Sequence, residues 1–198
     1  TAYLKAHYPA EFMAANLTRN KDNISDVTKF MDECKSMGLL VKGPDVNESE
    51  LNFTVNQKGE IRFGLGGVKG VGEGAVESLV NERKKNGPYK SIYDFIERVN
   101  LTACNKKTLE SLALSGAFDC FEDLKREQYF AVNPKGEQTL ETLIRYGNRY
   151  QQDKQMNTNS LFGGFDDETL EIPKPEIPKT KPWSTLERLG KEKEYVGI

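Results

Sequence analysis

The sequence predicts a mainly α chain with one small β-hairpin, two successive helix–loop–helix units and a proline-rich linker. Three observations carry that prediction. Apolar residues recur at helical spacing in one segment after another, and capping residues or Gly and Pro stops bound these segments. Only one pair of short apolar runs flanks a glycine turn in the manner of a hairpin. From 157 to 182 the composition shifts to Asn, Gly, Asp and Pro, as in an extended connector.

Composition sets the outer bounds. The 198 residues suffice for one domain or two small ones. With 37% hydrophobic and 29% charged residues, the core is modest and the helices are charged. A net charge of −2 removes any bulk electrostatic argument for a nucleic-acid partner. Locally the balance differs: residues 61–120 hold nine Lys/Arg against seven Asp/Glu, or +2, which leaves −4 elsewhere. Cys34, Cys104 and Cys120 form no C-x-x-C pair, which suits a reducing cytoplasm. No apolar run reaches membrane-spanning length, and the single His7 lacks partners for a zinc site. A start at Thr1 and an end in "KEKEYVGI" suggest a piece of a longer protein.

In chain order, Pro9 opens a helix with Phe12, Met13 and Leu17 on one face. A second helix begins near Ser25, shows Val27, Phe30, Met31 and Cys34, and stops at Gly38. "LLV" at 39–41 is a candidate short strand. "LNFTV" at 51–55 and "IRFG" at 61–64 flank "NQKGE", a hairpin turning at Gly59. Past a glycine-rich stretch, Ala75, Val76, Leu79 and Val80 mark a helix that Gly87-Pro88 ends. Ser91 caps the next helix, with Asp94 as a short capping-box partner and Ile92, Phe95, Ile96 and Val99 facing inward. After "NLTACN", Asn105 caps a helix carrying Leu109, Leu112 and Ala113 and ending at Gly116. Ala117, Phe118 and Phe121 then pack back. A longer helix runs from about Glu137 with Leu140, Leu143 and Ile144, and helical character resumes from Trp183 to Tyr195 with Leu186 and Leu189 apolar.

The stretch 64–75, "GLGGVKGVGEGA", concentrates the functional question. Its second half fits G-x-G-x-x-A, but no β-α-β unit with an acidic second strand follows, so a dinucleotide site lacks its frame. A Walker A loop fails because no Gly-Lys-Ser/Thr is present. "VKGVG" (Val68 to Gly72) instead fits the h-x-G-h-G turn of a helix-hairpin-helix. Such a turn aims backbone N–H groups outward at a helix start, where the helix dipole favours a phosphate. Gly70 and Gly72 are read as taking φ > 0, with Val71 plugging the hairpin from inside. The N–H groups of Gly72, Gly74 and Ala75 are expected to face DNA. Lys69 adds a charge, and Lys84 and Lys85 follow on the same helix. Carbonyls of Gly66, Val68 and Val71 are a candidate monovalent-cation site. The alternative is a turn whose glycines serve only packing. A second unit follows at once (92–99, then 106–116), which makes a tandem module. Its turn lacks glycines, yet Lys106 and Lys107 stand at the helix N-terminus and could meet a phosphate.

No other constellation carries chemistry. There is no Asp-x-Asp pair for two-metal phosphoryl transfer. Asp166-Asp167-Glu168 reads as a solvated charge run, and Tyr3 and Tyr8 as helix packing. Catalytic residues are therefore expected to be absent.

Several phrases in order resemble one family: "TAYLKAHYPAEFMAANLT", "KGPDVNESELNFTV", "IRFGLGGVKGVGEGAVESLV", "YKSIYDFIERVNL", "NKKTLESLALSGAFD", "NSLFGG" and "WSTLERLGKEKEYVGI". They are similar to the α subunits of bacterial DNA polymerase III, the C-family replicative polymerases. The resemblance implies a division of the chain. Residues 1–58 would be the end of the fingers, 59–120 the tandem helix-hairpin-helix DNA-binding module and 121–156 a helical extension. Residues 157–182 would be a linker, and 183–198 a helix leading to an OB fold. It implies duplex DNA and the other holoenzyme subunits as partners, with no membrane. It also implies a cytoplasmic setting. Template-directed DNA synthesis and its Mg²⁺ would belong to a palm outside this chain, leaving this piece without cofactor and inactive by itself. The scaffold alternative, a joint between fingers and OB fold, stays open. One departure is Gly43-Pro44, where the family often has two prolines.

Overall fold

The computed structural model describes residues 1–159 and 172–197. The expected linker falls partly outside this range: "LFGGF" and Asp166-Asp167-Glu168 lie among the residues not described. As predicted, the described chain is mainly helical. Helix α1 (Ala2–His7) precedes α2 (Pro9–Arg19), which Pro9 opens at its first turn. Sequence reading missed α1, a six-residue helix with no buried residue. Tyr3 and Tyr8 are exposed, so the packing role expected for them is not realised within the chain. Asn23 caps α3 (Ile24–Ser36) by accepting from Ser25 and Asp26 N–H, and Gly38 ends the region at φ +72°.

A small sheet follows. Strands β2 (Thr54–Val55) and β3 (Ile61–Arg62) form the predicted hairpin, with Thr54 opposite Arg62 and Gly59 at φ +75°. Strand β1 (Val41–Lys42) pairs parallel on the other side of β3, giving the order β1-β3-β2. "LLV" alone offered one strand and no partner. Val46 and Ser49, in the loop after β1, pack inward.

Helices α4 (Glu73–Asn86), α5 (Ile92–Arg98) and α6 (Lys106–Ser115) lie where the apolar stripes place them. Gly87 (φ +87°, ψ 172°) and Gly116 (φ +85°, ψ 8°) take the positive φ that stops α4 and α6. Ser91 caps α5 as expected, but the Asp94 carboxylate accepts from Lys90 N–H at 2.9 Å, one residue beyond the usual capping-box donor. Phe95 centres the aromatic core, meeting Tyr89 at 4.8 Å and Phe118 at 5.1 Å, edge to face. Phe121 and Tyr129 extend this cluster, so the segment after α6 does pack back.

Helix α7 (Thr139–Asn159) lies against α5. Contact is close because Gly147 presents no side chain to Ile96: a Cβ there would stand 2.3 Å from Ile96 Cγ2. Gln151 donates to the Ile96 and Val99 carbonyls at 3.1 and 2.9 Å, closing the end of α5. Residues 172–182 carry no regular secondary structure, with Ile172 and Ile177 packed on the core and Lys174 over the Tyr93 ring.

The last helix, α8 (Thr185–Val196), is opened by a reciprocal Ser184–Glu187 capping box. The face read as apolar is solvent-facing: Leu186 is 83% and Leu189 50% exposed. Burial falls at the opposite end, on Val196. Arg126 Nη1 pairs with Glu192 at 2.7 Å, and Thr28 donates to the Gly197 carbonyl at 2.6 Å. These contacts pull the C-terminal end inward and leave the leucine edge outside.

Candidate nucleic-acid interface

The glycine stretch divides into two halves with different physical reasons. A Cβ on Gly64 would lie 2.5 Å from the Asn52 carbonyl carbon. One on Gly66 would lie 2.8 Å from the Leu51 carbonyl oxygen, and one on Gly67 3.0 Å from the Phe63 ring. These three glycines let the chain pass close to 51–53 and the hairpin core. Gly72 and Gly74 are different: both are exposed, and a Cβ on either meets nothing within 4 Å. Nothing inside the protein requires glycine there. Their effect is to leave a rim of bare backbone facing outward.

Between the halves, Gly70 makes the turn at φ +85°. A Cβ there would stand 2.6 Å from Ser111 Oγ, so the hairpin is also seated on α6. Gly72 does not take the positive φ expected of it. It is the N-cap of α4 with φ −79° and ψ 151°, ordinary for a cap. Val68 and Val71 are buried, Val71 as the expected plug.

The backbone donors follow from this geometry. Val71 N–H donates to the Val68 carbonyl at 3.2 Å. Ala75 and Val76 N–H both donate to the Gly72 carbonyl, at 3.1 and 3.2 Å. Ala75 is thereby removed from the set expected to face DNA, because the first turn of α4 tightens onto the cap. Among the described residues, the N–H groups of Gly70, Gly72, Glu73 and Gly74 have no acceptor. Of the carbonyls suggested for a cation, Val68 already accepts from Val71, while those of Gly66 and Val71 accept nothing among the described residues.

Side chains gather around the same place. Lys69, Gly70, Lys106, Lys107 and Ser111 line one open hollow, with Glu110 and Tyr195. The fold thus joins the first hairpin to the helix start of the second. Lys69 is engaged: its N–H donates to the Tyr195 carbonyl at 3.0 Å and its Nζ lies 3.3 Å from Glu194 Oε1. Lys106 Nζ lies 2.7 Å from Glu141 Oε1, and this hydrogen bond raises its pKa. Lys107 has no ion-pair partner among the described residues.

Lys84 and Lys85 do not join this group. They stand at the far end of α4, about 16 Å from its first turn at 1.5 Å per residue. Lys84 pairs with Glu50 at 2.9 Å. Conversely, the fold brings in Lys21, which sequence reading passed over. Its Nζ lies 2.7 Å from Glu73 Oε1, across 52 residues of sequence, and neutralises a carboxylate at the mouth of the helix. Beneath the site, the buried Arg83 donates to the Val46 and Ser49 carbonyls at 2.7 and 2.8 Å, fixing α4 to the loop after β1. No local signal marks either residue, since each acts on a segment distant in sequence.

Residues 38–129 match the helix-hairpin-helix motif family, spanning both helical units and the lining of the hollow except Tyr195. Across all 198 residues, the chain is 39% identical to DNA polymerase III subunit alpha of Haemophilus influenzae. Over its whole length the chain is similar to one segment of the DNA polymerase III α subunit. Over 125 residues, 63% of the chain, it is 54% identical to the subunit alpha of Chlamydia trachomatis. The whole chain aligns at 37% identity with that of Pseudomonas aeruginosa. It spans 16% of the Haemophilus protein, 10% of the Chlamydia protein and 18% of the Pseudomonas protein. Lys69 to Ala75 and Lys106–Lys107 fall inside the motif match, while Lys21 lies outside it. No described helix is long and apolar enough to cross a membrane.

Proposed function

We propose that this segment holds duplex DNA by its phosphate backbone, without reading sequence. The observation that carries this reading is the set of partnerless N–H groups at Gly70, Gly72, Glu73 and Gly74, on a rim where three of the four residues are glycine and Lys21 neutralises the Glu73 carboxylate. A phosphate oxygen accepts from several such donors at once, and the α4 dipole adds favourable potential. Lys107 stands beside the rim, and Lys69 becomes available when it leaves Glu194. Contacts of this kind fix position and carry no base information.

In the longer protein the reaction is template-directed DNA synthesis, with Mg²⁺ and catalytic carboxylates supplied by other parts of the chain. This segment positions duplex DNA and contributes no catalytic group. Other replication subunits are reached through the longer protein. The test is a titration of a labelled duplex with the 198-residue chain at rising salt. Neutralisation by Lys69 and Lys107 predicts a log–log salt slope of about −2 and equal affinity for unrelated sequences.

A second reading rests on one specific contact. The Lys69 N–H is already spent on the Tyr195 carbonyl, so the hairpin also braces α8. A pure scaffold predicts no duplex binding even at low salt.

A further inference from the structure

The C-terminal end of α8 reaches the hairpin with its acidic edge foremost. Glu194 Oε1 lies 3.3 Å from Lys69 Nζ, and that ammonium also stands 6.0 Å from the Tyr195 ring centroid. Tyr195 lines the hollow shared by Lys69, Gly70, Lys106 and Lys107. The helix is held there independently of Glu194. Glu192 pairs with Arg126, the Gly197 carbonyl accepts from Thr28, and Val196 is buried. The Lys69 and Glu194 side chains remain 54% and 59% exposed, so their pair can open without undocking the helix.

We propose that the acidic edge of α8 is a built-in competitor of the DNA backbone, with Glu194 holding the Lys69 ammonium that a phosphate would otherwise take. This rests on the backbone-binding reading and adds a regulation to it. Binding must break the Lys69–Glu194 pair and bring phosphates near a carboxylate, so the site engages only DNA that offers enough charge to displace Glu194. Anything that draws α8 away, such as a neighbouring part of the longer protein, would raise affinity at the hairpin. The pair is exposed, so its effect is strongest at low salt and screened at high salt.

The test measures duplex affinity and its salt slope for the wild-type chain and five variants. Glu194→Gln is expected to tighten binding about twofold to fivefold at low salt and to steepen the slope slightly, because an ion pair that salt screens no longer competes for Lys69. Glu11→Gln, which removes the same charge from α2, is expected to change neither. In a Lys69→Gln background, Glu194→Gln should give no gain. The proposal is overturned if Glu194→Gln gives no gain, if Glu11→Gln gains equally, or if the gain survives without Lys69. Weaker binding by Lys107→Glu alongside a neutral Glu194→Gln would leave the binding reading standing and remove only the competitor. No duplex binding by wild type or by Glu194→Gln at low salt would remove both. Circular dichroism checks that helix content is unchanged in each variant.

Discussion

Replacing Gly74 with alanine should move stability and binding in opposite directions. Gly74 is the second residue of α4. Alanine is favoured over glycine inside a helix by up to about 1 kcal/mol. The added Cβ meets nothing within 4 Å, so no packing cost offsets that gain. For a chain of this size, about 1 kcal/mol raises Tm by roughly 2–4 °C. The same Cβ leans toward the helix N-terminus, as all helical Cβ atoms do, and so into the rim of free N–H groups. Loss of one charge-assisted hydrogen bond there costs about 1.5–3 kcal/mol, or roughly tenfold or more in affinity. Thermal unfolding followed by circular dichroism reads the first effect, and fluorescence anisotropy with a labelled duplex reads the second. Wild-type affinity in a stabilised Gly74→Ala chain would refute the assignment of this rim to phosphate. A lowered Tm would refute the claim that the position is sterically open.

Three further outcomes test the architecture behind the site. Arg83→Met leaves the Val46 and Ser49 carbonyls without their donor and the Glu50 carboxylate with Lys84 alone. It should cost about 3 kcal/mol, read as a lower urea midpoint at constant m. Gly147→Ala drives a Cβ to 2.3 Å from Ile96 Cγ2 and 2.8 Å from its carbonyl oxygen, so α5 and α7 must separate. The expected loss is about 1–3 kcal/mol, against the gain that alanine gives in an open helix position. Finally, burial raises the Cys34 and Cys104 thiols to about 11 and about 12. In the folded chain at pH 8 a thiol reagent should label neither, while in denaturant both react. Native labelling of Cys104 would contradict its burial between α4 and α6.

Much of the helical framework was legible because its signals are local. Asn105 and Ser91 accept from N–H groups three residues on, and Gly87 and Gly116 stop helices by their own positive φ. The stripe Ile92, Phe95 and Ile96 states which face turns inward before any partner is known. The same logic failed for α8, where Leu186 and Leu189 make a plausible stripe. Anchors at Arg126 and Thr28, distant in sequence, orient that helix by its other end. β1 was half legible for a similar reason: a strand of two residues is defined by its partner β3, not by its own side chains.

At the site, the turn at "VKGVG", the start of α4 and the lysines at 69, 106 and 107 could be read along the chain. Turn chemistry and helix capping act over three or four residues, so they are written in the order of the chain. Packing in three dimensions sets which glycines are enclosed and which face outward, since that depends on what residues 51–53 and 111 bring against them. It also sets which charges are available. Glu194 crosses to Lys69 and Lys21 crosses to Glu73 through contacts spanning 125 and 52 residues. Charge pairing falls off with distance in space, and a sequence records only distance along the chain.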